Sequence, residues 1–233
     1  MADFLSAEDL ASHFHLPLSE QAYQEYQELQ EIVQSIQVRQ EDKDQWHYIW
    51  ESPKYTAKNY YKYLHKEIQP PRPFTWIWKS GCCNRLRIFA WLLLMDRLNT
   101  RNLLKRKRYK LEGNNYNCVL CLTQREEMAF HLFFSCPFAL ECWQQIGVQW
   151  QFGNPFFQMM EMARQDFNHT FFMEAFIIAA WHIWKQRNNL IFENCPASTV
   201  SWKRNFKEEC LLQAHRMKES LKAPFLVRSA GLV

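Results

Sequence analysis

The chain has 233 residues, of which 48% are apolar and 16% aromatic, and it carries a formal net charge of +4. This composition excludes an intrinsically disordered protein, because the chain has enough apolar residues to bury a core. Only five residues are glycine, and the many long side chains favour helices over tight turns. We therefore predict a mainly α-helical fold.

Targeting and membrane signals are missing from the sequence. The start, MADFLSAEDL, has neither the basic nor the apolar region of a signal peptide. The most apolar run, 171–184, is too short to span a bilayer, and Glu174 and His182 interrupt it. We expect an intracellular protein in a reducing compartment, without membrane association. There, the eight cysteines serve as metal ligands and buried thiols rather than as disulfides.

The first predicted helix begins after Ser19, its N-cap, and continues to about Gln40. Its apolar residues follow a heptad spacing of about two repeats: Ala22, Tyr26, Leu29, Val33 and Ile36. We interpret it as a surface helix that docks on the main domain, with a short coiled-coil seam as the alternative. Residues 40–45 are a predicted linker, so that 1–44 forms an acidic N-terminal helical extension.

Aromatic residues over 46–56 predict a small β-hairpin around Ser52-Pro53, and a helix is predicted from Thr56. The proline-rich tract 69–73 then interrupts the chain. A helix over 84–98 is predicted from the spacing of its apolar face: Leu86, Phe89, Ala90, Leu93 and Leu94. Thr100 is the predicted N-cap of the next helix.

Pro137 suits the first turn of a further helix. Residues 170–192 predict a long helix whose first half lies in the core, and 199–221 predict a last amphipathic helix. The predicted divisions after the N-terminal extension are 45–150, a domain with an inserted zinc knuckle, 151–195, a following helical segment, and 196–233, a C-terminal helix and tail.

Three cysteines and a histidine lie within twenty-two residues, in the order Cys118-x2-Cys121-x9-His131-x4-Cys136. Two cysteines spaced in this way present both sulfurs to one ion, and the histidine and third cysteine can complete a tetrahedron. The alternative is a chance grouping of thiols with a hydrogen-bonded histidine. Cys142 is a possible competing ligand. Its position on the predicted helix favours burial in the core instead. We expect one Zn²⁺ in a closed, structural Cys₃His site.

Charge is distributed unevenly along the chain. Residues 1–44 hold ten acidic and two basic residues, whereas 85–110 hold nine basic residues and one acidic residue. Such local density indicates contact with a polyanion. The predicted nucleic-acid-binding residues are Arg97, Arg101, Lys105, Arg106, Lys107, Arg108 and Lys110. Aromatic residues that could stack on bases lie nearby: Trp76, Trp78, Trp91 and Tyr109. The alternatives are a solvated helix end or a nuclear import signal, with Trp91 in the core.

The segment CVLCLTQREEMAFHLFFSCPFALECW resembles the zinc-binding domain that follows the reverse transcriptase in plant LINE-type, non-LTR retrotransposons. The flanking stretches 55–64, 76–107 and 180–192 are similar to the same family, so that the resemblance covers roughly 45–195. In the second stretch, Trp91, Asp96, Arg97, Leu98, Thr100 and Arg101 stand at the characteristic places of that family. The resemblance implies a module that handles RNA or DNA, and a nuclear location.

Catalytic motifs of the related polyproteins are missing. The chain has no Tyr-x-Asp-Asp sequence, no clustered acidic trio and no phosphate-binding glycine loop. We therefore expect no enzymatic activity and no catalytic residues. An alternative is a protein-interaction scaffold in which residues 22–36 or 199–221 dock a partner. Another alternative is a non-functional remnant of a retroelement.

Overall fold

A computed structural model of the chain describes residues 14–15, 17–35, 48–50 and 54–231, with only the backbone described for 228–230. The described residues are mainly helical, as predicted. The helices are α1 Glu20–Ser35, α2 Ala57–Leu64, α3 Arg72–Lys79, α4 Asn84–Leu94, α5 Arg101–Arg106, α6 Pro137–Gln145, α7 Phe156–Phe167, α8 Phe172–Phe192, α9 Thr199–Ala214 and α10 Glu219–Ala230. Within the described ranges, every helix is too short or too polar to span a bilayer.

The chain divides into two compact units, Met1–Glu67 and Ile68–Val233. The division falls inside the stretch 45–150 that the sequence analysis treats as one domain. The predicted boundaries at 44, 150 and 195 stay predictions.

The first unit contains α1 and α2, and both begin at the predicted caps. The Ser19 hydroxyl accepts a hydrogen bond from the backbone N–H of Ala22 at 3.3 Å. The Thr56 hydroxyl accepts one from Asn59 at 3.1 Å. These bonds satisfy donors that the first turn of a helix leaves free. The described seam residues Ala22, Tyr26, Leu29 and Val33 are half-buried, and 36–45, with the end of the predicted helix and the linker, lie outside the described residues.

The predicted β-hairpin over 46–56 is not supported. The described part of that stretch, 48–50 and 54–56, contains no strand, and 46–47 and 51–53 lie outside the described residues. The aromatic side chains instead pack on one another. The Trp50 ring lies 5.0 Å from the ring of Tyr48, 5.7 Å from that of Tyr55 and 6.2 Å from that of Tyr60 in α2. Aromatic residues that would suit a strand therefore form a ring cluster beside a helix.

Helix α8 is the centre of the second unit, and its first half is buried as predicted. Helices α4, α6 and α9 contact it. The Trp202 indole of α9 donates a hydrogen bond to the Ala179 carbonyl of α8 at 3.2 Å, and Phe89 of α4 packs edge-on against Trp181 at 5.1 Å. All five residues of the predicted apolar face of α4 are buried: Leu86, Phe89, Ala90, Leu93 and Leu94.

The predicted helix over 199–221 is two helices, because the chain turns at 215–218 between α9 and α10. Met217 in this turn is buried against Gly81, where an added Cβ would lie 2.8 Å from the Met217 Cγ. The extended backbone of Lys218 then ends the turn and precedes α10. Tertiary packing of Met217 thus overrides the helical pattern of the sequence.

Two polar side chains lie in the apolar first half of α8, and both are buried. The Glu174 carboxylate accepts a hydrogen bond from the backbone N–H of Gly81 at 2.8 Å. The imidazole of His182 has no hydrogen-bond partner among the described residues, and its Nε2 lies 3.8 Å from Glu209 of α9. Burial, with a smaller effect from Lys185, lowers the pKa of His182 to about 4.

This buried imidazole predicts an acid-sensitive fold. In the unfolded chain His182 binds a proton below pH of about 6.5, whereas in the folded chain it does so only below a pKa of about 4. The free energy of unfolding should therefore fall as pH drops through this window, by roughly 3 kcal/mol at most. Replacing His182→Leu should remove that part of the decrease. Urea unfolding of both zinc-saturated proteins at pH 7 and pH 5.5 measures it, and parallel pH profiles would contradict the prediction.

Candidate metal centre

The first two candidate ligands lie on a tight turn that is closed by antiparallel backbone pairing. Asn117 forms an antiparallel bridge with Glu126, and the N–H of Cys118 donates to the Arg125 carbonyl at 2.8 Å. The residues between them form a loop in which Leu122 is fully exposed. This pairing holds Cys118 and Cys121 at one end of a short knuckle, residues 115–127, as the spacing predicts.

The other two candidate ligands stand at the ends of a wide helical turn, the π-helix His131–Ser135. The N–H of Cys136 donates to the His131 carbonyl at 2.7 Å, which closes a turn of five residues. In an α-helix, a residue five positions further would lie about 140° around the axis. The wider turn reduces this angle, so that the imidazole and the sulfur face the same point. Pro137 then begins α6 directly after Cys136, as predicted.

The four ligand atoms converge within 4.8 Å of one another. The Cys118 and Cys136 sulfurs are 3.9 Å apart, and the Cys121 sulfur lies 3.3 Å from the His131 Nε2. A tetrahedral zinc with ordinary bond lengths has sulfur–sulfur separations of about 3.8 Å and sulfur–nitrogen separations of about 3.5 Å. The donor set and its spacing therefore fit zinc. Four protein ligands leave no open position, which is typical of a structural site.

Ionisation of these groups also suits a metal. The pKa of the Cys136 thiol is lowered to about 6, because it accepts hydrogen bonds from Cys118 and from backbone N–H groups of Ala139 and Phe138. The pKa of Cys118 is raised by its hydrogen bond to Cys136 and by burial. Burial, together with the charge of Arg125, lowers the pKa of His131. The pair of thiols thus favours one thiolate, and the imidazole stays neutral at pH 7, as a ligand requires.

Two hydroxyl groups contact the ligands from outside. The Ser135 Oγ lies 3.3 Å from the His131 Nδ1, and the Thr123 Oγ1 lies 3.0 Å from the Cys121 sulfur. When Nε2 is the ligand, Nδ1 carries the ring proton and donates a hydrogen bond to the Ser135 hydroxyl. Such contacts fix the tautomer and orientation of a ligating histidine. The sequence analysis did not identify either hydroxyl.

The remaining cysteines lie apart from this group. Cys142 is buried in α6, and burial raises the pKa of its thiol, so it is part of the core rather than a competing ligand. Cys82, Cys83, Cys195 and Cys210 are free thiols. Within the described ranges, only Cys118, Cys121, His131 and Cys136 form a convergent group of three or more potential metal ligands.

A buried ion pair joins the knuckle to the core helix. Glu127 is fully buried, and its carboxylate accepts hydrogen bonds from the Arg187 guanidinium of α8, the shortest at 2.7 Å. The same carboxylate accepts the backbone N–H of Arg101, the first residue of α5, at 2.9 Å. The sequence analysis missed this contact, because Glu127 and Arg187 are sixty positions apart and neither belongs to a ligand motif.

The predicted nucleic-acid-binding residues lie on and beside α5. The guanidinium of Arg101 donates to the Asn115 and Asn117 carbonyls at 3.3 and 3.2 Å, so this side chain supports the knuckle. Lys105 pairs with Glu126 at 3.1 Å, and Arg106 pairs with Asp96. Among the described residues, the other four predicted cations have no carboxylate within ion-pair distance: Arg97, Lys107, Arg108 and Lys110.

Helix α5 ends where these cations are most concentrated. Thr100 caps its start, accepting the Leu103 N–H at 3.2 Å as predicted. At the other end, the Tyr109 N–H bonds to the Leu104 carbonyl and the Arg108 N–H to that of Lys105, both at 2.9 Å. This arrangement requires a left-handed residue, and Arg108 adopts φ of 61° there. The chain therefore turns sharply within the cationic run rather than continuing as a helix.

The predicted stacking aromatics differ in exposure. Tyr109 is 64% exposed, Trp78 49% and Trp91 38%, so Trp91 does not lie in the core as the alternative interpretation proposed. Trp76 is partly buried, and the Arg164 guanidinium lies 4.2 Å from the centre of its ring.

Comparison with known protein families gives one match. Residues 55–143 match the family described as "zinc-binding in reverse transcriptase". This segment includes all four convergent ligands and the whole of α5, and it is less than half of the chain. Neither the curated proteins nor the solved structures gave a significant match. The match and the ligand geometry agree on a zinc-binding domain, which indicates that the metal is zinc.

Loss of the outer contact to the imidazole should weaken the metal site. Replacing Ser135→Ala removes the acceptor for the His131 Nδ1 proton, and we expect zinc affinity to fall about tenfold. Competition with a chromogenic zinc chelator measures this. Ser220→Ala, at an exposed position of α10, is the matched control and should bind zinc as the unchanged protein does. Equal affinities for all three proteins would exclude an orienting role for Ser135.

Glu127 and Arg187 should be strongly coupled in their effects on stability. Replacing Glu127→Gln leaves the Arg187 charge buried without a counter-ion, and we expect a loss of about 3 kcal/mol in the free energy of unfolding. The double variant Glu127→Gln with Arg187→Met removes both charges and should recover most of that loss. Urea unfolding of the zinc-bound proteins measures both. Additive effects of the two substitutions would show that the pair is not coupled.

Proposed function

We propose that this chain is a zinc-stabilised nucleic-acid-binding module derived from the polyprotein of a non-LTR retrotransposon of the plant LINE type. The family match over 55–143 and the Cys₃His group support the zinc-binding part of this proposal. The LINE origin rests on the resemblance of the segments that flank the ligands.

A single observation favours nucleic acid as the ligand: unpaired positive charge is concentrated beside the metal centre. Arg97, Lys107, Arg108 and Lys110 are exposed, and the described residues offer them no counter-ion. Lysine and arginine side chains in this state bind phosphates and release the counterions that surround a nucleic acid. The exposed rings of Trp78, Trp91 and Tyr109 add surfaces on which bases could stack.

Zinc has a structural role in this proposal. The ligands would be Cys118, Cys121, His131 and Cys136, and the bound ion links the knuckle to the start of α6. The residues of the knuckle then fix α5, since Glu127 and the Asn115 and Asn117 carbonyls all contact Arg101. The metal therefore affects nucleic-acid binding indirectly, through the position of the cations.

We propose no enzymatic activity for this chain. The convergent ligand group is a closed site, with no position for a substrate or water. Polymerase, nuclease or ribonuclease H activity would come from other parts of the element. An intracellular location, with entry into the nucleus aided by the basic run 105–110, fits this role.

A second candidate is a protein-interaction scaffold, and one observation favours it. Leu211 and Leu212 of α9 are 57% and 63% exposed, and Ile32 of α1 is 57% exposed. Exposed apolar side chains on a helix can dock a partner. Under this alternative, zinc stabilises the fold and the cations contribute only solubility.

Salt dependence distinguishes the two candidates. We expect the protein to bind single-stranded or double-stranded RNA or DNA, with affinity falling steeply as salt rises. Replacing Lys107, Arg108 and Lys110 with alanine should reduce the slope of log affinity against log salt by about 2. Gel-shift titrations across salt concentrations measure the slope, and a zinc chelator should abolish binding.

The matched control replaces three exposed cations elsewhere in the second unit, Arg204, Arg216 and Lys218, with alanine. This control changes net charge by the same amount and should leave the slope nearly unchanged. Equal slopes for the two triple variants would show that the surface around α5 is not the contact. The absence of binding to every nucleic acid would favour the scaffold.

A further inference from the structure

An apolar cavity of about 430 Å³ opens beside the cations of α5. Its walls come from the end of α4, from α5, from the segment just before His131 and from the start of α7. Its volume lies within the range of about 300–1,000 Å³ that is typical of small-ligand pockets. The family match and the metal centre do not explain why this space is apolar and open.

Aromatic side chains form one wall of the cavity. The Phe130 and Phe134 rings are stacked with their centres 5.7 Å apart, and Phe156 packs edge-on against Phe134 at 5.1 Å. Phe134 is buried, whereas Phe130 and Met128 are 42% and 48% exposed. The mouth of the cavity therefore presents a flat ring and a flexible thioether to solvent, both of which suit a planar aromatic guest.

Polar and charged groups stand at the rim. Arg106 and Asp96 both line the cavity and pair with each other, and each is followed in the chain by an exposed, unpaired cation, Lys107 or Arg97. The side-chain Nδ2 of Asn102 donates to Glu126 at 2.9 Å, and the side-chain Oδ1 has no donor among the described residues. A guest with a planar apolar body, a hydrogen-bond donor at its edge and an attached anion would match these groups.

We propose that this cavity binds one unstacked base of a single-stranded nucleic acid, while the neighbouring phosphates contact the unpaired cations Arg97 and Lys107. The inference rests on the proposed function. Charge complementarity identifies the occupant, since an apolar cavity beside the exposed, unpaired cations Arg97 and Lys107 fits a base attached to a phosphate backbone better than an uncharged apolar ligand. Bases in a duplex are stacked and paired, so this protein prefers single strands.

The metal centre is connected to this cavity by a short segment of the chain. Met128, Ala129 and Phe130 come directly after Glu127 and directly before the ligand His131. Both anchors fix the segment, one through Arg187 and the other through the metal ligands. Release of zinc would therefore free the aromatic wall.

The experiment compares two probes that differ only in their bases. Fluorescence anisotropy measures binding of oligothymidylate and of an oligonucleotide of equal length and charge in which every nucleotide lacks its base. The unchanged protein should bind the strand with its full set of bases about tenfold more tightly. Replacing Phe130→Ala should reduce this preference to less than twofold and leave the salt slope unchanged, because no charge is removed.

Phe152→Ala is the matched control, since Phe152 is 48% exposed and its ring lies 6.2 Å from that of Phe130, but it does not line the cavity. It should retain the tenfold preference. Zinc content and thermal unfolding establish that the variants are folded. Met128→Ala, at a more exposed position, provides a second variant and should reduce the preference severalfold.

The outcomes separate the two proposals. Salt-dependent binding with equal affinity for base-containing and base-lacking strands would overturn the cavity proposal and leave the nucleic-acid-binding function intact. Binding to no oligonucleotide at all would overturn the proposed function and this inference together. A preference that survives both Phe130→Ala and Met128→Ala would place the base elsewhere and would also overturn the inference.

Discussion

The position of one buried carboxylate determines how the metal centre and the cationic surface relate to each other. Glu127 is inaccessible to solvent, and it bonds both to Arg187 of the core helix and to the first N–H of α5. An unpaired carboxylate in such a place would cost several kcal/mol, so Arg187 must be present for the knuckle to pack. Two apolar residues could give similar stability, and the distinctive effect of the ion pair is therefore placement. It fixes the segment between the two halves of the ligand set against α8.

Helix α5 depends on that placement. It has six residues, too few for an isolated helix to be stable. Thr100 and Glu127 satisfy donors at its start, and the left-handed Arg108 closes its end. The ion pair with Arg187 holds Glu127, and Glu127 lies between the two halves of the ligand set. The charge of the basic run is a property of the sequence, but its arrangement in space depends on the zinc knuckle.

Short-range patterns in the sequence predicted much of this structure, and long-range contacts account for what was missed. The caps Ser19, Thr56 and Thr100 and the apolar face of α4 are encoded within about three helical turns, and the four ligands lie between positions 118 and 136, so their spacing identifies them. The pairing of Glu127 with Arg187 joins residues sixty positions apart. The break at 215–218 likewise depends on Met217 packing against Gly81. The β-hairpin was inferred from aromatic residues on either side of a Ser-Pro turn, a pattern that cannot distinguish two strands from a cluster of packed rings.

Two carboxylates partly neutralise the cationic surface around α5. Many like charges on a short segment repel one another, and the two carboxylates of Asp96 and Glu126 reduce this repulsion by pairing with Arg106 and Lys105. Both paired cations lie in the last turn of α5, where the helix dipole also favours positive charge. A phosphate must compete with a carboxylate for Arg106 or Lys105, but it meets no such competitor at Lys107 or Lys110. The cations that stabilise the helix end and those most available to a polyanion are therefore different residues, although they are neighbours in the sequence.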